Sequence, residues 1–378
     1  MGHRKQKIFF VIPSLAGAGA ERVLIYLLQY INRDLFCPIL VVFDETNTSS
    51  NQIPEDVIIF NLNKKSPLDF FRLVKQLSRI IRKEQPALIV SFLTYTNYLI
   101  LLARSCSQFN VPVILSEHGN LSKSLENQRF KYTKRGIIRF FYPKAEKIIA
   151  VSQGVKEDIV NKYFLPADRI SVIYNSVDFE LVKKNKHERV GHSWFRENIP
   201  VIIACGRLIP SKGFTDLITA FSLVCSQSPA RLVFIGAGEE RDKLEKLTKK
   251  LGLNKKVLFL GYQEDPFKFM ARATIFALSS YWEGFGNVII EAMACGTPVI
   301  STRCPSGPDE IITDGLNGLL VPVGDVDALA GAILRLLKDE PLRKRLAEEG
   351  KKRAGDFRVE KMVAEYERVF KKVASKRG

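Results

Sequence analysis

Cysteine is scarce and scattered in this chain: six in 378 residues, at positions 37, 106, 205, 225, 295 and 304, with no Cys-x-x-Cys pair. The spacing argues against a structural zinc site and against a disulfide framework, and a reducing cytosol fits it best. Histidine is scarcer still, with four residues, and His3, His187 and His192 fall in the N-terminal tail or a charged central stretch. His118 alone lies in strongly patterned sequence. No window reaches the roughly 18 apolar residues of a membrane span. The apolar run 8–12 is cut short by Pro13, Gly17, Gly19 and Glu21-Arg22, too early for the core of a signal peptide. The expectation is a cytoplasmic protein, able to lie peripherally on the cytoplasmic face of a membrane.

Acidic residues are also in short supply, 40 against 57 Lys and Arg, which leaves a formal net charge of +17. The excess is uneven. Residues 1–150 carry a net +10 and 351–378 a net +6, whereas 201–350 are balanced. No nucleic-acid recognition motif accompanies the positive charge, so a nucleic-acid partner is not expected. With 46% hydrophobic and 26% charged residues the chain is an ordinary globular one. Its length suits two domains.

Short, continuous apolar runs recur, each followed by a longer amphipathic stretch. They lie at 7–14, 38–43, 57–62, 87–94, 111–117, 147–152 and 170–175, and again at 201–206, 231–236, 256–261, 274–279, 298–302 and 318–323. Unbroken runs suit strands buried on both faces of a parallel sheet. Between them, Leu73, Val74, Leu77, Ile80 and Ile81 recur at helical spacing, with Pro67 and Pro86 bracketing a helix over 67–84. Further helices are expected at 214–226, 239–251, 266–272, 287–295, 325–337, 341–353 and 359–375. Such alternation predicts α/β architecture with two doubly wound, Rossmann-like domains facing a cleft. The charged stretch 179–198 reads as a linker between a first domain (1–178) and a second (199–358). A basic helix, 359–378, closes the chain, and the C-terminal helices are placed to cross back to the first domain.

Three stretches carry chemistry. In Glu283-Gly284-Phe285-Gly286-Asn287, with Glu291 eight positions after Glu283, two carboxylates flank a glycine-rich helix start. Glycine allows close backbone approach, and N–H groups at a helix start hold hydroxyl or phosphate oxygens. In Gly206-Arg207-Leu208-Ile209-Pro210-Ser211-Lys212-Gly213, a guanidinium and an ammonium follow a strand at a spacing suited to a diphosphate. Gly236-Ala237-Gly238 lacks the third glycine of a dinucleotide fingerprint. In the first half, Gly17-Ala18-Gly19 reads either as a phosphate or acceptor loop or as a tight turn. His118, in Ser116-Glu117-His118-Gly119, ends a strand and is read as either structural or facing a ligand.

These residues resemble the retaining GT-B glycosyltransferases of family 4. The likeness runs through Gly-Ala-Glu-Arg at 19–22, Ser-Glu-His-Gly at 116–119, Val-Ser-Gln-Gly at 151–154 and Tyr-Asn-Ser-Val-Asp at 174–178. It continues through Gly-Arg-Leu at 206–208, Lys-Gly at 212–213, the 283–300 tract and Asp-Gly-x-Asn-Gly-x-Leu-Val at 314–321. Ser176 departs from the glycine or proline common in relatives. The resemblance implies that Glu291 binds the ribose hydroxyls of a nucleotide sugar and Glu283 a hydroxyl of the donor sugar. It implies that Arg207 and Lys212 stabilise the leaving diphosphate, with no metal or other cofactor. Phe285, Gly286 and Asn287 would offer backbone N–H groups, and the base would sit near Gly236 and Tyr262. His118 would contact the donor sugar, and Gly17, Ala18 and Gly19 would lie near the acceptor and β-phosphate in an acceptor-side first domain. Cys304 to Ile311 is similar to relatives using UDP-linked donors: N-acetylhexosamine, galactose or glucose.

Within 123–147, Lys131, Lys134, Arg135 and Arg139 alternate with aromatic residues including Phe140 and Phe141. A basic helix with an apolar face can lie on an anionic membrane surface, which suits a lipid-linked or saccharide acceptor. The competing reading packs that face into its own domain. The expected activity is transfer of a hexose or N-acetylhexosamine with retention of configuration. Other GT-B chemistry (a phosphorylase or a sugar-nucleotide epimerase) and a non-catalytic nucleotide-sugar or membrane-binding module are the alternatives.

Overall fold

The computed structural model describes residues 5–15, 19–44, 52–66, 69–126 and 130–375. The chain divides into two compact units, Met1–Asn175 with Val359–Gly378, and Ser176–Arg358. All thirteen apolar runs overlap strands, β1 and β2 beginning one and two residues before theirs: β1 Gln6–Ile12, β2 Phe36–Val42, β3 Ile58–Asn61, β4 Leu88–Phe92, β5 Val113–Glu117, β6 Lys147–Ala150, β7 Ile170–Val172, β8 Val201–Cys205, β9 Arg231–Ile235, β10 Val257–Phe259, β11 Ile275–Leu278, β12 Val299–Thr302 and β13 Leu319–Val321. The first unit holds a seven-stranded sheet in the order β3-β2-β1-β4-β5-β6-β7, and the second a six-stranded sheet in the order β10-β9-β8-β11-β12-β13. Every pairing is parallel. Both orders reverse beside the first strand of the unit, between β1 and β4 and between β8 and β11. In open α/β sheets ligands bind beyond the carboxyl ends of the strands at such reversals.

Central strands such as β4 and β5 are buried along their whole length, the reason their sequences are unbroken in apolarity. Two expectations need adjustment. The helix expected over 67–84 is described as Phe70–Glu84, and Pro67 lies outside the described residues. The stretch 179–198 belongs to the second unit. Phe179–Asn185 is a helix capped by the Asp178 side chain, Lys268 pairs with Glu188 at 3.1 Å, and Arg272 donates to the Lys186 carbonyl at 3.1 Å. Its charges anchor it to the domain surface, so charge density there marks a solvated face and no free connector.

The C-terminal helix Val359–Ala374 packs on the first unit. Val359, Met362, Val363, Tyr366, Phe370 and Val373 recur every three or four residues and are all buried in the β1-β2-β4 core. Phe370 meets Phe10 and Phe36 edge-on, both at 6.1 Å. Asn32 N–H donates to Glu367 Oε1 at 2.7 Å, fixing the helix against the end of Gly19–Tyr30.

Candidate active site

In the second unit the expected residues line up along the carboxyl edge in strand order. Tyr262 follows β10, Gly236 follows β9, Arg207 and Lys212 follow β8, and Glu283 follows β11. Backbone hydrogen bonds stitch these loops together: Gly236 N–H to the Gly261 carbonyl at 2.8 Å, Gly206 N–H to Ile235 at 2.9 Å, and Leu208 N–H to Ala237 at 2.9 Å. The loops approach so closely that side chains have no room. A Cβ on Gly236, at φ +141°, would fall 1.9 Å from the Gly206 carbonyl oxygen, and one on Gly213, at φ +61°, would fall 2.1 Å from that of Ser279. The glycines therefore seat β8, β9 and β11 loops against one another.

Lys212 and Glu283 meet across the strand reversal, Nζ to Oε1 at 2.5 Å. The Ser280 hydroxyl donates to the same Oε1 at 2.6 Å, and Thr302 in turn donates to the Ser280 carbonyl at 2.6 Å. Glu283 is 8% exposed. Both bonds converge on Oε1, so Oε2 keeps no protein partner among the described residues, and neither do two of the three ammonium hydrogens of Lys212. A carboxylate oxygen and two cationic donors therefore remain available side by side. Arg207 is exposed, and its guanidinium makes no hydrogen bond or ion pair among the described residues. Gly286, at φ +95°, precedes the helix Asn287–Cys295, in which Glu291 is 2% exposed. Phe285 is buried edge-on against Phe357 at 5.4 Å, and Tyr262 is 40% exposed. Cys304, whose thiol burial and the nearby Glu283 push up to about 12, stays protonated and inert.

In the first unit, Gly17 and Ala18 lie outside the described residues, and Gly19 opens the helix Gly19–Tyr30. His118 stands just beyond β5, stacked on Phe92 at 5.5 Å, with burial pushing its imidazole down to about 3, so it is neutral. Its neighbour Glu117 is 1% exposed and accepts from Asn97 Nδ2 at 2.6 Å, Thr94 Oγ1 at 3.1 Å and the Tyr142 hydroxyl. Burial nevertheless pushes this carboxyl up to about 7, against those three hydrogen bonds. Sequence reading passed over Glu117, Ser280 and Tyr366; a buried acid flanked by apolar strand residues was the one available signal, at Glu117.

The basic segment divides into helices Leu121–Leu125 and Lys131–Phe141. Ile138 and the following Tyr142 are buried in the unit, while Phe130, Tyr132 and Phe140 are 65%, 74% and 63% exposed. One stripe therefore packs inward, as the competing reading has it, and another faces solvent beside Lys134 and Arg139. Arg139 lies over the Phe164 ring at 4.4 Å, and Lys144 over Phe140 at 3.9 Å. Tyr132, Arg135, Arg139, Lys162 and Phe164 border an open cavity of about 480 Å³. Among the described residues no helix is long and apolar enough to cross a membrane.

Residues 17–181 match the Glycosyltransferase Family 4 model and residues 187–353 the Glycosyl transferases group 1 model. The chain is 30% identical over 360 residues to an N-acetylgalactosamine-N,N'-diacetylbacillosaminyl-diphospho-undecaprenol 4-alpha-N-acetylgalactosaminyltransferase of Campylobacter jejuni, covering 93% of this chain and 96% of that one. It is 45% identical over 151 residues to the lipopolysaccharide core biosynthesis glycosyltransferase LpsE of Rhizobium meliloti, covering 40% of this chain and 43% of the relative. Anabaena HepE, solved in complex with UDP-glucose, superimposes with a TM-score of 0.80 at 26% identity, over 96% of this chain and 99% of that one. Each half thus matches its own model and one alignment runs nearly end to end; the chain belongs to the family 4-like GT-B glycosyltransferases.

Proposed function

We propose that this glycosyltransferase moves a hexose or N-acetylhexosamine from a UDP-linked donor to a lipid-linked or surface-glycan acceptor, with retention of anomeric configuration. The Lys212–Glu283 contact carries the reading, because it sets a cationic donor beside a hydroxyl-binding acid at the strand reversal. Along that edge the base lies toward Tyr262 and Gly236, Glu291 takes the ribose, Arg207 and Lys212 take the diphosphate, and Glu283 takes a sugar hydroxyl. Phe285, Gly286 and Asn287 contribute backbone N–H groups, and His118 supplies a hydrogen bond to the sugar from the first unit.

In the reaction the bond between sugar C1 and the phosphate oxygen breaks, and its electron pair stays on the diphosphate. Positive groups fixed before the reaction meet that charge without reorganising. The acceptor oxygen bonds to C1 on the face the diphosphate leaves, and the acceptor's proton passes to the leaving phosphate. Glu283 has no covalent role in this scheme: its Oε1 serves Lys212 and Ser280, and its Oε2 is left for the sugar hydroxyl. Support for UDP comes from HepE, solved with UDP-glucose, and support for a polyprenyl-diphosphate acceptor from the Campylobacter relative's substrate. The exposed Phe130, Tyr132 and Phe140 beside Lys131, Lys134, Arg135, Arg139 and the half-buried Phe141 suit docking on an anionic membrane.

The test offers UDP-N-acetylhexosamine, UDP-galactose and UDP-glucose with a polyprenyl-diphosphate saccharide, in the presence of EDTA. Sugar transfer and a product anomer matching the donor's are expected. Phosphorolysis, an epimerised nucleotide, or no turnover with any donor would overturn the reading.

A further inference from the structure

The polar groups around His118 form a chain whose far end lies on the C-terminal helix. His118 Nε2 is 2.9 Å from Ser116 Oγ, and that oxygen is 3.1 Å from the Tyr366 hydroxyl. Ser116 is fully buried and Tyr366 is 1% exposed, so no solvent competes for these groups. The other ring nitrogen, His118 Nδ1, is also buried and has no partner among the described residues.

Three groups with one proton each share two hydrogen bonds, so the direction of the chain decides the tautomer. In one direction Tyr366 donates to Ser116, Ser116 donates to Nε2, and the imidazole proton sits on Nδ1. Both hydroxyl protons are then used. In the other direction Nε2–H donates to Ser116 and Ser116 donates to Tyr366. The buried Tyr366 O–H and the Nδ1 lone pair then both lack a partner among the described residues, whereas the first direction leaves only the Nδ1–H unpartnered. The first direction wins. The neutral state of the ring, enforced by its burial, excludes protons on both nitrogens.

We propose that Tyr366, acting through Ser116, is a positioning residue that holds His118 in the Nδ1–H tautomer, so that the unpartnered nitrogen offers a hydrogen-bond donor to an oxygen of the transferred sugar. The sugar as recipient rests on the function proposed above; the tautomer does not. The inference gives the returning helix a task beyond packing, since it closes a polar chain that begins 250 positions earlier. Phe92, stacked on the ring at 5.5 Å, sets its plane, and the hydroxyl chain sets its proton.

The test combines two readouts on the full chain. Nitrogen-15 NMR of histidine-labelled protein reads the protonation of each ring nitrogen. The expected result is a protonated Nδ1 in the wild type, a shift to Nε2–H in Ser116→Ala, and a mixture in Tyr366→Phe. A protonated Nε2 in the wild type, or a tautomer unmoved by both substitutions, overturns the proposal. In sugar transfer, Tyr366→Phe lowers kcat about tenfold, as loss of a hydrogen bond in a chain would, while the protein stays folded by thermal melting. In a His118→Ala background the same substitution has no further effect. An equal loss in that background would mean that Tyr366 acts on stability alone and would also overturn the proposal. Failure of the sugar-contact reading looks different: His118→Ala then transfers at the wild-type rate while the tautomer result stands.

Discussion

At the carboxyl edge of the second sheet, an ammonium, an exposed guanidinium and two buried carboxylates gather among glycine turns, within a stretch 201–350 of zero net charge. At the same edge of the first sheet burial works against charge, pushing Glu117 up to about 7 and His118 down to about 3, although residues 1–150 carry a net +10. The first unit thus wears its charge outside and the second keeps its charge at the site. The contrast fits the proposed chemistry. A departing diphosphate needs fixed cations, which work best where water is scarce, whereas an uncharged sugar needs oriented neutral donors and acceptors.

The largest effect that could break this contrast is loss of the cations. Arg207→Ala or Lys212→Ala should lower kcat roughly a hundredfold or more, read as UDP release. The two should then part in thermal melting. Lys212→Ala strands Glu283, 8% exposed, without its partner and lowers the midpoint, whereas the exposed Arg207 leaves it unchanged. Equal turnover for wild type and both variants would remove the reason for charge at the second edge.

Backbone crowding is the next distinction. Gly236→Ala sets a Cβ 1.9 Å from a carbonyl oxygen, and should cost about 2 kcal/mol or more in urea unfolding. Gly136→Ala, in the basic helix of the first unit with nothing within 4 Å, should gain about 0.5–1 kcal/mol. A smaller effect belongs to the outer charge of the first unit. Lys134→Ala should weaken binding to anionic vesicles by about 1 kcal/mol, roughly fivefold, with melting unchanged. Binding indifferent to lipid charge would show that the basic face has another use.

A separate effect is the pH dependence that Glu117 and His118 contribute. Between 4.5 and about 7 folded Glu117 holds a proton that the unfolded chain releases, so its contribution to stability falls as pH rises through that window. His118 works the other way. Below 6.5 the unfolded imidazole gains a proton that the folded one refuses down to about 3, so stability is lost as pH falls. The two offset between 4.5 and 6.5. Glu117→Gln should leave only the histidine term, and urea midpoints should then climb more steeply with pH across that range.

Much of the site was readable before any folding was known. Strands were visible because central runs are buried on both sheet faces and so stay apolar, while the edge strand β3, with Ile58 and Ile59 exposed, was visible by apolarity alone. Arg207, Lys212 and Glu283 were visible because they share short loops with glycines, and Glu291 because its helix follows one, the purpose of such glycines emerging in the 1.9 and 2.1 Å approaches at Gly236 and Gly213. The charged stretch 179–198 misled for a related reason: polarity looks the same in a connector and in a solvated helix face, and contacts such as Lys268–Glu188 and Arg272 on the Lys186 carbonyl separate them.

Residue order alone specified the local events, namely which segments become strands, where helices begin and which side chains end up beyond the strand ends, because each depends on neighbours within a few positions. Folding was needed to place Tyr366 on Ser116, to draw Lys212 and Ser280 onto a single oxygen of Glu283, and to divide one basic helix into an inward and an outward stripe. Those outcomes join groups as far as 71 and 250 positions apart, or depend on what packs behind a helix, and leave no periodic trace in the chain.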